Sequence, residues 1–426
     1  MSDIRNLLEQ VAAREDELIT LIKKLVSYQT VSPPARNTES IQTFISEYLS
    51  NLNFSIDQWD VYPGDPNVVA EKQGQNRNEY QSLILNGHVD VASIEEDEPW
   101  DSPPFEASVR DRHIYGRGTA DMKGGLAACL FALKLLHESN ISINGDFMLQ
   151  SVVGEEVGEA GTKQCCLRGY AADFAIVADT SASCIQGQGG VITGWITLKS
   201  PTTHHDGQRR QMLHAGGNLH AASTIEKMAK LITSLQELER HWAVTKSYPG
   251  FPLGTTTINP AVIEGGRHAA FIADKCSLWI TVHFYPNETY ESVAHEIEQH
   301  VLATAAADPW MKDHPPTFVW GGQSMIEDRG EVFPSLAIDE NSLGVQALKQ
   351  AHKKTTGQDA QVSMSTSVND GGWLGEAGIP TVIYGPGQLA DAHSVNERIS
   401  IDEVVQYTKT LLTFINDWCN TKRKKE

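Results

Sequence analysis

Three short apolar runs in this chain each stop at an acid or an imidazole. Residues 82–85 lead into Asn86-Gly87-His88-Val89-Asp90, residues 146–153 into Gly154-Glu155-Glu156, and residues 174–178 into Asp179-Thr180. Runs of that length bounded by glycine and polar residues read as buried strands. In an open α/β sheet the carboxyl ends of the strands are where ligands and chemistry are placed. A further acid, Asp121, lies among Gly116, Gly118, Gly124 and Gly125 in the stretch YGRGTADMKGGL, just before the apolar run 126–136. A carboxylate has two oxygens and can bridge two cations, the arrangement of two-metal hydrolases.

The 426 residues exceed the length of about 250–300 at which one core stops growing, so two domains are expected. Helical periodicity covers 4–26 and 38–52, and another helix follows Asp121 to about residue 137. From residue 190 the pattern changes. A strand over 191–199, a helix over 219–239, strands over 255–263 and 275–285, a helix over 290–305 and a strand over 317–320 give the order β-α-β-β-α-β of a small ferredoxin-like domain. Helix, strand and helix then return at 342–356, 381–384 and 401–418. The expected architecture is therefore α/β: a doubly wound mixed-sheet domain in two parts, 1–189 and 326–426, with an α+β domain inserted at 190–325.

The formal charge of −20 argues against nucleic acid or an anionic membrane as a main partner. No apolar segment is long enough for a transmembrane helix, and the start MSDIRNLLEQ is not a signal peptide, so a cytoplasmic location is expected. Six cysteines lie scattered without C-x-x-C spacing and read as reduced thiols.

His88-x-Asp90, Asp121, Glu155-Glu156, Asp179 and Ala392-His393 together make an N/O donor set suited to zinc or a similar metal. Singly, each has a plainer explanation as a hydrogen-bonded turn, a solvated acidic pair or a neighbour of a helix cap. Their order and their places at strand ends favour the metal site.

The strings NGHVDV, GRGTADMKGG, GEEVG, VADT and GPGQLADAHSVNE resemble, in that order, the motifs of the acetylornithine deacetylase / succinyl-diaminopimelate desuccinylase family of dinuclear zinc hydrolases, which includes aminoacylases and related carboxypeptidases. The resemblance implies a catalytic domain interrupted by a lid that pairs two chains as a homodimer. It implies two divalent ions, zinc with cobalt or manganese as alternatives. His88 and Asp179 would hold one, Glu156 and His393 the other, and Asp121 would bridge them. Asp90 would orient the His88 imidazole, Glu155 would be the general base, and a lid histidine, His204 or alternatively His205, would stabilise the oxyanion. A longer polar insert, 206–214, follows those histidines here.

The chain also departs from the pattern. The family's amino-acid deacylases place an Asn and an Arg near the substrate carboxylate, and the corresponding positions here are Ala270 and His283. Arg267 is the nearest replacement cation in sequence. A substrate lacking an α-carboxylate is the simpler expectation, because a buried unpaired charge is costly. The favoured one is the neutral N-formyl-4-amino-5-aminomethyl-2-methylpyrimidine, cleaved by a deformylase branch in thiamine salvage, with Trp195, Trp320, Trp373 and Phe271 available to stack on its ring. Deacylation of acetylornithine or succinyl-diaminopimelate, or cleavage of a dipeptide, stays open as an alternative. A non-catalytic metal-binding protein has no need of Glu155 beside Glu156.

Overall fold

The computed structural model describes residues 2–139, 141–158 and 161–424. The chain divides into two units, Met1–Gln188 with Leu336–Glu426, and Gly189–Ser335.

In the first unit, among the described residues, eight strands form one mixed sheet. Their order is Val362–Ser365, Ile185–Gln188, Thr381–Ile383, Phe174–Val177, Leu83–His88, Phe147–Val152, Asp65–Lys72, Ser55–Tyr62. Leu83–His88 runs parallel to both neighbours, and every residue in it is buried. A strand covered on both faces is apolar throughout rather than alternating, which is why this one stands out in the sequence. Asn86 pairs with Gln150 on one side and Val177 on the other, so the carboxyl ends of the three strands lie level.

The helix Gly124–Glu138 is apolar on all sides and buried from Gly124 to Leu133. It packs against Glu15–Val26 and Ile401–Trp418. The last of these begins at Ser400, whose hydroxyl accepts from Glu403 N at 3.3 Å, with Asp402 and Glu403 in the first turn where the helix dipole favours acids. The periodic segment 4–26 is two helices, Ser2–Ala13 and Glu15–Val26. Glu15, Asp16 and Glu17 start the second one after Arg14, for the same electrostatic reason.

In the second unit the sheet order is Ile258–Gly265, Lys275–Phe284, Gly190–Lys199, Thr317–Trp320, all antiparallel. This is the strand order of a ferredoxin-like βαββαβ unit. Ile192, Ile196 and Leu198 alternate inward along Gly190–Lys199 and meet Leu231, Leu235 and Trp242 of the helix Thr224–Thr245 and Val293, Ile297 and Val301 of Tyr290–Ala306. The unit ends at Ser335 rather than at 325, because Val332–Phe333 pairs with Val191 and Ile192. The insert after the histidines forms two 3-10 turns, Asp206–Gln211 and Leu213–Ala215. No helix among the described residues is long and apolar enough to cross a membrane. All six cysteines are free.

Asp308 ties this second core together. Its buried carboxylate accepts from Lys227 Nζ at 2.8 Å, from Lys230, and from the backbone N–H groups of Trp310 and Met311 at 2.9 and 3.1 Å. Burial alone would raise its pKa, but the two ammonium groups outweigh that and hold it below the ordinary value. Its stabilisation is therefore complete above the unfolded-state pKa and fades as pH falls through the lower folded value. Asp308→Asn is expected to cost about 3 kcal/mol at neutral pH. In acid unfolding titrations the gap from the parent protein should close below about pH 4. A gap that widens in acid would show that the carboxylate is not the stabilising form.

Candidate metal centre

The three level strand ends deliver the donors. His88 closes its strand and is buried, while Asp90 lies two residues beyond. Glu155 and Glu156 open a 3-10 turn after Phe147–Val152, and Asp179 follows Phe174–Val177. Asp121 comes from outside the sheet, in the segment Thr119–Lys123 that precedes the buried helix. The chain reverses there through Gly118 at φ +84°, where an added Cβ would lie 2.6 Å from Val91 Cγ1. His393 lies on the loop after Thr381–Ile383, at φ +55°.

Asp121 is the meeting point. Its Oδ1 is 3.1 Å from His88 Nε2 and its Oδ2 3.3 Å from His393 Nε2, so each oxygen faces one imidazole. Glu156 Oε2 is 2.9 Å from His393 Nε2. The donor atoms of His88, Asp121 and Glu156 all lie within 4.8 Å of one another. Asp179 is buried within reach of the Asp121 charge, and Glu155 Oε2 lies 3.9 Å from His88 Nε2. Asp90 has a role that sequence did not disclose. His88 Nδ1–H donates, at 3.0 Å, to the Asp90 backbone carbonyl. The Asp90 carboxylate, 3.7 Å from that ring, accepts instead from Gly154 N and Glu156 N, both at 3.0 Å. It thus sets both the imidazole and the acidic turn. His204 belongs to the second unit, where Nε2 meets Thr202 Oγ1 at 2.9 Å and Nδ1 meets Gln208 Oε1 at 3.2 Å.

The electrostatics of this cluster are those of crowded carboxylates. Burial pushes Glu156 and Asp179 up to about 7, with the Asp121 charge next in importance for both. Burial also raises Glu155 well above the ordinary value, reinforced by Glu156, Asp179 and Asp370 against the opposing pull of His88. Asp121 is held low despite burial by hydrogen bonds to His393 and His88, and its hydrogen bond, with that of Glu156, lifts His393 to about 10. Glu156 Oε1 is buried without a hydrogen-bond partner among the described residues. Excess negative charge, an orphaned carboxylate oxygen and two imidazoles facing the two oxygens of one acid together fit a pair of divalent cations.

Residues 84–417 match the peptidase family M20/M25/M40. The chain belongs to that family. It is 63% identical over 423 residues to the N-formyl-4-amino-5-aminomethyl-2-methylpyrimidine deformylase of Halalkalibacterium halodurans, covering 99% of both chains. It is 60% identical over 421 residues to the protein of the same name from Bacillus subtilis, again covering 99% of both. In three dimensions it is similar to a tripeptidase from Staphylococcus aureus, with a TM-score of 0.72 over 96% of this chain and 99% of that one at 21% identity. This M20-family chain is accordingly a hydrolase of amide bonds.

Three residues at the centre escaped the sequence reading. Arg117 and Glu397 form a fully buried ion pair at 2.8 Å behind Asp121. Asp370 is buried near His88, Asp90 and Asp179, has one oxygen without a partner among the described residues, and is pushed up to about 7 chiefly by burial. A signal was present for each: Arg117 inside the glycine turn, Glu397 four residues beyond His393, and Asp370 before Gly371-Gly372.

Gly125 tests how tightly the centre is framed. A Cβ there would sit 1.9 Å from Ala178 O, immediately before Asp179. Gly125→Ala is expected to force helix and strand end apart at a cost of about 3 kcal/mol. Thermal unfolding measures it, and an unchanged midpoint would show that the helix can yield without loss.

Proposed function

We propose that this enzyme hydrolyses N-formyl-4-amino-5-aminomethyl-2-methylpyrimidine to formic acid and the free amine, in salvage of the thiamine pyrimidine. The observation that carries the reading is the 63% and 60% identity, over 99% of each chain, to two proteins of that activity. The metals would be two zinc ions, His88 and Asp179 holding one, Glu156 and His393 the other, and Asp121 both. Bound there, the ions supply Lewis-acid polarisation of the formyl carbonyl and acidify the attacking water.

Glu155 does the proton work in this reading. Its carboxylate lies beside Glu156 and 3.9 Å from His88, among the proposed metal donors, and burial raises its proton affinity, as a base requires. A Glu155 carboxylate oxygen takes a proton from the water as its oxygen adds to the formyl carbon, then gives that proton to the amine nitrogen as the C–N bond breaks. Asp90 keeps Glu155 and Glu156 apart in role by capping the turn that carries them. His204, from the second unit of the partner in a homodimer, would donate to the developing oxyanion.

Two features of the second unit support a substrate without a carboxylate. Burial lowers the pKa of His283, which leaves a neutral ring where amino-acid deacylases of the family carry an arginine. Arg267 is already engaged with Asp274 at 3.0 Å and Thr203 at 3.1 Å, and it stacks on Phe271 at 4.5 Å.

A panel of the formylpyrimidine, N-acetylornithine, N-succinyl-diaminopimelate and a dipeptide tests the reading. The formylpyrimidine alone is expected to turn over, with activity lost to a chelator and restored by zinc. Glu155→Gln should lower kcat about 10²- to 10⁴-fold while keeping its metal. Turnover of N-acetylornithine in place of the formylpyrimidine would refute the assignment.

A further inference from the structure

We infer that the buried Arg117–Glu397 pair is a positioning device weighted toward one metal ion of the two: the ion on the Glu156–His393 side depends on it through both His393 and Asp121, and the ion on the His88–Asp179 side through Asp121 alone. The inference rests on the two-ion reading above.

The two pairs of donors are anchored by different physics. His88 and Asp179 are held by the sheet. Ala178 N donates to Asn86 O and Val89 N donates to Val152 O, both at 3.0 Å, so the ladder continues up to the residues that carry these donors. His393 has no such ladder. It sits on an irregular loop at φ +55°, and its side chain is 56% exposed. Asp121 also lies off regular structure, at φ −118° and ψ 99°.

What holds these two backbones is the ion pair. The Glu397 carboxylate accepts from Gly118 N at 3.0 Å, Ala120 N at 2.8 Å, Asp121 N at 3.1 Å and Arg117 Nη1 at 2.8 Å. The Arg117 guanidinium donates to the carbonyls of His393, Ser394 and Ser93, each at 3.3 Å. One carboxylate thus gathers the Asp121 turn and one guanidinium gathers the His393 loop, and the short bond between them sets the distance from Asp121 to His393. A planar fork with several donors can do this, and an ammonium cannot. Neither residue contacts the donor atoms of the centre, so both act through the backbones that they hold. Groups that orient metal ligands in this way typically change metal affinity 10- to 100-fold when removed.

The test is metal binding by the full chain, stripped and reloaded, read as zinc per chain and as two affinities from chelator competition. Cobalt absorption reports the coordination of each ion. The parent protein is expected to take up two ions. Glu397→Gln leaves Arg117 facing an amide, and Arg117→Lys keeps the charge but loses the fork. Both are expected to weaken the ion on the His88–Asp179 side clearly less than the ion on the Glu156–His393 side, which loses about 10- to 100-fold in affinity. His393→Ala should weaken the same ion, and Asp179→Ala the other. Equal weakening of both ions in Arg117→Lys, or parent affinity for both, would overturn the inference. A parent protein that saturates at one ion would overturn the two-ion reading itself, an outcome visible before any variant is made.

Discussion

The first unit is organised around a repulsion. Asp121, Glu155, Glu156 and Asp179 converge in a pocket of buried backbone, with Asp90 and Asp370 directly behind them. Two like charges about 4 Å apart repel by about 4 kcal/mol at an effective dielectric of 20. A chain selected for stability alone would not place so many acids together. The local structure reads as a set of devices that keep the group assembled: level parallel strands that space the donors, and a glycine that lets helix Gly124–Glu138 approach Ala178 O. The Asp90 carboxylate adds to these by absorbing two N–H groups of the acidic turn. Among the described residues the counter-charge is His88, His393, the buried Lys123 amine and the Arg117 guanidinium, the last already paired with Glu397, fewer groups than the acids that they face. Divalent cations are what make such an assembly favourable.

The same devices divide the centre into a stiff part and an adjustable one. Donors at strand ends inherit the rigidity of a sheet buried on both faces. Donors on loops take their positions from polar contacts, which in a low-dielectric interior are strong when complete and costly when one partner is missing. Arg117 and Glu397 are 280 residues apart in sequence and show what such a contact requires. Glu397 comes just before Arg398–Ser400, which pairs antiparallel with His113–Tyr115, so backbone pairing brings the acid alongside Arg117. A short, half-buried ribbon thereby fixes the relation between two loops of the site.

This separation also explains what could be read from the sequence. Strands that are buried on both faces announce themselves as apolar runs, so the ends that carry His88, Glu155, Glu156 and Asp179 were legible, as were the helices Leu343–Thr356 and Ile401–Trp418 and the order of elements in the second unit. The edge strand Ser55–Tyr62, with the sequence SIDQWDVY, has one face in water and little apolar content, and it was not read. Val362–Ser365, VSMS, was missed for the same reason. Arg117, Glu397 and Asp370 lay outside any periodicity, because a buried polar residue is explained by its partner and the partners are distant in the chain. The second carboxylate function of Asp90 was hidden in the same way: a His-x-Asp spacing suggests the ring as the target, whereas the backbone carbonyl reaches Nδ1 first.

The proposed substrate is in keeping with what the second unit withholds. An enzyme that binds an amino acid must bury a carboxylate against a cation, and it then rejects molecules that leave the cation unpaired. Here the corresponding position is the half-buried His283, its pKa lowered by burial, Arg267 is paired with Asp274, and Ala270 offers no side-chain hydrogen bond. Of the aromatic residues considered for stacking, Trp195 lies against Trp279 with ring centres 5.7 Å apart, and Arg329 covers both rings. Trp320 is pinned through Nε1 to Glu298 at 2.8 Å, and Trp373 is buried under Lys163. Phe271 keeps 40% of its surface exposed beside Arg267 and His268. Under the proposed function, the ring face not covered by Arg267 is where the flat, uncharged heterocycle would stack.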